Sequence, residues 1–272
     1  MNMPPKQSKL ISLAEAAALV RPGMMLALGG MTLYRRPVAF VRALLRQPTP
    51  PGDLTLLCFT AGIESDLLVG AGRVRAVRAC YFGLEIFGFA PMFSVAGNAG
   101  TLTIIEETEA SIAAGLRATM SGIGAVPSRA WIGTGLPALR PDVGQFSDPV
   151  TGEAYTAFPA IAPDVAVIHA LEADSAGNAR LNTNWGIDRE LALAAKTVIV
   201  TAETIVEHLR EDVTIAGLVV SAVVHAAHGA WPTSCYPYYP IQGGEILNYL
   251  DACSSGNFDA YLNEFVRDRN PI

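Results

Sequence analysis

The chain has 272 residues, half of them hydrophobic and 16% charged, with a net charge of −6. That length suits one large domain, and the low share of charge points to a large core and a buried interface with another chain. The acidic balance argues against a nucleic-acid binder, which carries a basic face, and no apolar run reaches the roughly 20 residues that cross a bilayer.

The N-terminal segment MNMPPKQSKL lacks the apolar stretch of a signal peptide, so a cytoplasmic location is expected. Ser12 and Glu15 form a capping-box pattern before the apolar run AAALV, and Pro22-Gly23 ends that helix. Met24–Leu28 reads as a buried strand that stops at Gly29-Gly30. Thr32 and the pair Arg35-Arg36 follow, and Pro37 opens a helix to about Arg46 with Val38, Val41, Leu44 and Leu45 on one face. Strand, glycine corner, basic loop and helix in this order can hold an anion, because glycine allows close backbone approach and guanidinium groups favour negative charge. The plainer alternative is a βα turn with a solvated arginine pair.

A second unit repeats the pattern. Leu54–Phe59 is a continuous apolar run, as expected of a strand buried on both faces. It ends at Thr60-Ala61-Gly62, and a helix runs from about Ile63 to Ala71. Val74–Phe82 is the next strand, followed by GLEIFGFAPMFSVAGN, which contains Glu85 and reads as a pocket wall or interface rather than an ordinary helix. A strand at Leu102–Ile105 leads to the cluster Glu106, Glu107 and Glu109, then to a helix from about Ser111 to Ser121. Residues 122–163 carry many glycines and prolines and read as short strands and loops, a small subdomain or lid within one 1–272 domain. Then come a strand at Val165–Ala170, a helix over Asp188–Ala195, a strand at Thr197–Thr201, a helix beginning near Ala202 with Glu203 in its first turn, and a strand at Leu218–Val224. The proline- and tyrosine-rich tail ends in a helix near Asp259–Arg267.

Strands alternating with helices imply an α/β fold, a mostly parallel sheet covered on both faces, with ligands at the strand carboxyl ends. Gly29-Gly30, Thr60-Ala61-Gly62 and Glu106 then share one edge. Cys58 and Cys80 read as small hydrophobes in strands, without a cationic neighbour to stabilise a thiolate. His225 and His228 lack a third ligand nearby, and His169 and His208 stand apart, so no metal site is expected. There is no Gly-x-Ser-x-Gly elbow and no GxxxxGK[ST] loop.

The segments PGMMLALGGMTLYRRPVAFVRALL, GTLTIIEETEASIAAGLRA and PDVAVIHALEADSAGNARL, in this order, resemble the alpha (A-type) subunit of the family I CoA-transferases. The resemblance covers roughly residues 10–250 and is greatest to the glutaconate CoA-transferase branch and to the alpha subunit of a steroid-catabolic CoA-thioester ring-opening hydrolase. It implies a three-layer α/β/α fold of the CoA-transferase (NagB/RpiA-like) type. It also implies a heterodimer or heterotetramer with a beta (B-type) chain that carries the glutamate nucleophile in a Glu-x-Gly context, which Glu85 and Glu245 here do not match well.

CoA would be a substrate, with no dissociable cofactor and no metal. Arg35 and Arg36 would pair with a carboxylate of a dicarboxylic acyl group, or with charges at an interface between chains. Gly29, Gly30, Thr32, Thr60, Gly62 and Glu85 would line the substrate site, and the N–H groups of Gly29-Gly30 could form an oxyanion hole as a further option. In the hydrolase relative a glutamate of the acidic loop is implicated, so Glu106 or Glu109 would be a general base with its pKa raised by burial; the plain reading is that these acids decorate a helix N-terminus. A non-catalytic binding subunit is the remaining alternative.

Overall fold

The computed structural model describes residues 8–267. In chain order the elements are α1 (Leu13–Ala17), β1 (Met25–Leu28), α2 (Val38–Leu45), β2 (Leu54–Ala61), α3 (Ile63–Gly70), β3 (Val74–Phe82), a single 3₁₀ turn (Glu85–Phe87), α4 (Pro91–Asn98), β4 (Thr103–Glu106), α5 (Glu109–Met120), β5 (Ala125–Ser128), α6 (Leu136–Leu139), β6 (Gly144–Ser147), β7 (Ala154–Pro159), β8 (Val165–Asp174), β9 (Ala179–Arg180), α7 (Asp188–Ala194), β10 (Thr197–Val206), β11 (Ala222–His225), α8 (Gly243–Ser254) and α9 (Phe258–Phe265).

The main sheet has the order β11-β10-β8-β1-β2-β3-β4, all parallel, with β9 added antiparallel to β8. Because side chains alternate across a strand, the apolar runs feed two cores. Leu26, Leu28, Leu54, Leu56, Val165 and Val167 point to one face and meet α1, α2 and α3. Ala27, Leu57 and Ala166 point to the other and meet Ile112 and Leu116 of α5 and Leu191 of α7. This is the expected mostly parallel sheet between two helical layers. Residues 122–163 contain a separate three-stranded antiparallel sheet of order β5-β7-β6. It is latched to the main body through Glu107, which takes Arg78 and Arg140 (2.8 Å) on one carboxylate oxygen.

The capping box at Ser12 and Glu15 is formed. Four expectations are corrected. The segment after β3 contains a regular helix, α4. Its start has Pro91 in the first turn, and its free N–H groups at Met92 and Phe93 are capped by Asp66 at 3.2 and 2.6 Å, a cap supplied from α3 that no local pattern reveals. No helix begins at Ala202. β10 continues to Val206 because it stays in register with β8 up to Val206 opposite Asp174, so Glu203 is a buried strand residue. The strand expected over Leu218–Val224 is confined to β11. Finally, GGEILNYLDACS is a helix, α8, which places Ile246 and Tyr249 in a core with Leu33, Ile63, Leu67 and Leu84 beside the sheet's carboxyl edge.

Candidate functional site

The carboxyl ends of β1, β2, β3 and β4 lie on one edge of the sheet, as parallel pairing requires. At β1 the backbone turns through Gly29 and Gly30. A side chain at Gly29 would meet Asp188 at 2.6 Å, and one at Gly30 (φ +78°) would collide with the Arg35 carbonyl. These glycines permit close approach of the chain's own Asp188 and turn. Their N–H groups are also engaged, Gly29 with the Val167 carbonyl (2.9 Å) and Gly30 with Asp188 (2.9 Å). The further option of an oxyanion hole at this pair is not available, because both donors already serve the fold.

Arg35 and Arg36 are buried, at 1% and 0% exposure. Arg35 pairs with Asp188 and donates to the carbonyls of His169 (2.5 Å) and Asn184 (2.9 Å). Arg36 donates twice to Glu64 Oε1, at 2.9 and 2.6 Å, and once each to the Gly30 and Thr60 carbonyls, at 2.9 and 3.0 Å. The expectation that these guanidiniums face a substrate carboxylate or an interface gives way to a scaffolding role. Each is neutralised by a buried acid from its own chain, since a charge in the interior demands a partner. Arg36 also lies 3.5 Å from Cys58 Sγ, the cationic neighbour the sequence did not reveal. Burial nonetheless pushes the Cys58 thiol up.

Thr32 is buried with φ +39°, and its N–H donates to Thr60 Oγ1 at 2.9 Å. A side chain on Gly62 would run into the Thr32 carbonyl, so glycine is required there. Gly62 is the N-cap of α3, without a side-chain cap, and Oε2 of Glu64 in the first turn is buried with no hydrogen-bond partner. Gly30, Thr32, Arg36, Thr60 and Gly62 thus form one lattice at the ends of β1 and β2. Glu85 follows β3 as an exposed residue with φ +52°, a left-handed conformation unusual for glutamate. Its N–H donates to the Tyr81 hydroxyl at 3.2 Å, and its charge, followed by burial, raises the Tyr34 hydroxyl pKa.

The acidic cluster divides. Glu106 ends β4 and Glu109 opens α5, and both side chains are exposed. The buried acid is Glu107, held by Arg78, Arg140 and Ser111. The burial expected of Glu106 or Glu109 is therefore missing. Three strand spacings, about 14 Å, separate β4 from β1.

Comparison with known proteins agrees with this geometry. The coenzyme A transferase profile matches residues 10–226. The chain belongs to the coenzyme A transferase family. This CoA-transferase chain is 34% identical to the A-type subunit of 3-oxoadipate CoA-transferase of Pseudomonas knackmussii, over 96% of this chain and 94% of that one. It is 35% identical to the A-type subunit of glutaconate CoA-transferase of Acidaminococcus fermentans, over 96% and 88%. The crystal structure of that glutaconate enzyme superposes with a TM-score of 0.89 over 97% of this chain and 90% of the other. The decarboxylase AibA/AibB, in a cysteine-to-serine variant, also gives 0.89, at 31% identity over 96% and 99%. A cholesterol ring-cleaving hydrolase subunit of Mycobacterium tuberculosis is 29% identical over 93% and 90%. Both of those CoA-transferase chains are named as A-type subunits.

Beside the glycine corner lies a second buried network. Oε1 of Glu203 accepts from His169 Nε2 (2.7 Å), the Gly229 N–H (3.1 Å) and the Tyr239 hydroxyl, and Oε2 accepts from the His228 N–H (2.6 Å). Burial acts to raise the Glu203 pKa, but the bonds from His169, Tyr239 and His228 outweigh it and hold the carboxyl below its usual value. Cys235 Sγ lies in the same group, all ligand atoms within 4.8 Å, with its thiol pushed up to about 12 by burial and the Glu203 charge. The loop so anchored brackets the glycine corner: Arg35 N–H donates to the Ser234 carbonyl (2.6 Å), Ser234 N–H to the Leu33 carbonyl (2.9 Å), and Ala39 N–H to the Gly229 carbonyl (2.8 Å). Asp188, Glu64 and Glu203 are the positioning residues that sequence reasoning missed. Asp188 and Glu64 look in sequence like ordinary first-turn acids of α7 and α3, and Glu203 reads as the start of a helix.

Asp66 makes the stability of this fold depend on pH. It is fully buried, and burial pushes its pKa to about 6 although Tyr249, Phe93 and Met92 donate to it. A folded-state pKa above the unfolded value means that the native form binds more protons. The stabilising contribution is complete below about pH 3.8 and is lost as pH rises through about 6. The difference amounts to about 3 kcal/mol. Urea unfolding at pH 4.5 and 7 compares the wild type with Asp66→Asn; the variant is expected to lose this part of the slope, and equal slopes would refute the assignment.

Proposed function

We propose that this chain, paired with a B-type chain in a heterodimer or heterotetramer, moves CoA between an acyl-CoA and a carboxylic acid, the acyl group being dicarboxylic. The observation that carries the reading is full-length similarity to two chains named for 3-oxoadipate and glutaconate transfer, both dicarboxylic acids. It is joined to a site edge, at Gly30, Thr32, Thr60, Gly62 and Glu85, that offers no activated nucleophile of its own. The partner supplies that nucleophile as a glutamate, and two acyl transfers through it carry the CoA. CoA is substrate, no separate cofactor is needed, and the compartment is the cytoplasm. Among the described residues no helix is long and apolar enough to cross a membrane. Support for a covering partner comes from the turn beside Glu85, where Ile86 and Phe89 are 91% and 85% exposed, a cost a packed interface removes.

Within this reading Gly30, Thr32 and Gly62 shape the floor and Glu85 stands at its rim. Glu106 and Glu109 are solvated acids, so Glu106→Gln and Glu109→Gln are expected to leave kcat/KM within about twofold. A hydrolase of the ring-cleaving kind would instead lose most activity with one of them. The test of the proposal is tagged purification from the native host, with mass spectrometry of what co-elutes. A stoichiometric second chain with a Glu-x-Gly segment supports it, and elution alone as a homo-oligomer overturns it.

A further inference from the structure

β1 and β8 are neighbours, and the chain leaves β1 toward β2 but leaves β8 toward β10. Open parallel sheets bind ligands outside the strand carboxyl ends where connections diverge in this way. A crevice of about 560 Å³ opens near this point, lined by Leu171, Arg180, Leu181, Trp185 and Arg189, and by the acid Asp212. It shares a wall with the glycine corner: Asn182 Oδ1 accepts from Arg35 Nε at 3.4 Å, and a side chain on Gly186 would meet Met31 at 3.2 Å.

The cations around this wall differ in what they already hold. Arg35 and Arg36 are committed to Asp188 and Glu64. Arg180 is shared with Glu172 at 2.9 Å. Arg189 is exposed, stands with its guanidinium carbon 5.2 Å from the centre of the Trp185 ring, and has no carboxylate partner among the described residues. A guanidinium stacked on an indole is held in orientation while its N–H edge stays free for a bidentate acceptor.

We propose that Arg189, braced on Trp185, receives the free carboxylate of the dicarboxylic acyl group, since Arg180 is already paired with Glu172. The inference rests on the transferase reading and names the residue that selects its substrate class. The apolar floor at Leu171 and Leu181 suits the methylene chain between the thioester and that carboxylate. A phosphate of CoA is the other anion such a cation can read, and the two sources are separable.

The test uses the complex with its partner chain and two probes of equal length, glutaryl-CoA and pentanoyl-CoA. For Arg189→Gln the ratio of kcat/KM for glutaryl-CoA over pentanoyl-CoA is expected to fall roughly 10- to 100-fold, mainly through KM, with Arg189→Lys recovering part of it. An unchanged ratio overturns the proposal, whether both esters suffer equally, as for a CoA phosphate contact, or neither does. Should the wild-type complex transfer CoA from neither ester, the transferase reading fails while the site remains testable. Titration with glutarate, followed by tryptophan fluorescence, is expected to give a saturable change that Arg189→Gln abolishes, and identical titrations would overturn the site.

Discussion

Arg36→Met is expected to destabilise the protein by about 3–5 kcal/mol, because it leaves a buried carboxylate without its counter-charge. Glu64 is fully buried, and Arg36 is the cation that holds it, through Nε and Nη2 on one oxygen. The same guanidinium satisfies the Gly30 and Thr60 carbonyls, so the substitution strands two acceptors at the ends of β1 and β2 as well. Arg36→Lys is expected to rescue little, since an ammonium is a point charge and cannot span acceptors laid out for a planar fork. Arg36→Met combined with Glu64→Leu is expected to recover most of the loss, because removing both charges removes the desolvation penalty with the attraction. Chemical denaturation of the purified complex checks the series. A single variant as stable as the wild type, or a double variant no better than the single, would refute the role.

Glu203→Ala is expected to cost a similar amount, about 3–5 kcal/mol, for a different reason. Its carboxylate is the common acceptor of two backbone N–H groups, an imidazole and a phenol. Deleting it leaves those buried donors unpaired, and each unsatisfied group costs about 1–3 kcal/mol. At this chain length each kcal/mol corresponds to roughly 2–4 °C, so melting is expected to fall by about 10 °C. The damage also spreads to the site, because residues 229–235 bracket the loop that bears Arg35 and Arg36. Glu203→Gln keeps acceptor capacity and is expected to lose less. A calorimetric melt of Glu203→Ala within about 2 °C of the wild type, on this same scale, would contradict the hub.

The difference between what could and could not be read from the residues follows from the range of the interactions. β1 and β2 were legible because strands buried on both faces are continuous apolar runs closed by glycine. The carboxyl-edge location of Gly29-Gly30, Thr60 and Gly62 followed from parallel pairing. The partners of the arginines were not legible. Arg35 and Asp188 lie 153 residues apart, and Arg36 and Glu64 lie 28 apart, so a basic pair that looks solvent-facing in sequence becomes an internal brace in space. The same applies to α4, whose cap is Asp66, and to β10, where AETIV resembles a helix start but the ladder with β8 decides for strand. The family resemblance supplied the class of chemistry. The structure supplied which residues have charge left for a ligand, and Arg189 is the cation it adds beside the glycine corner.

The measurement that bears most directly on the central claim is the fate of CoA. The complex of this chain with its partner is given a dicarboxylic acyl-CoA and a labelled acceptor acid, and new thioester and free thiol are quantified together. Transfer predicts that nearly all released CoA reappears as the acceptor thioester, and that release stops when the acceptor is omitted. Free CoA accumulating at the same rate with or without the acceptor would contradict the account and place this protein among the hydrolases.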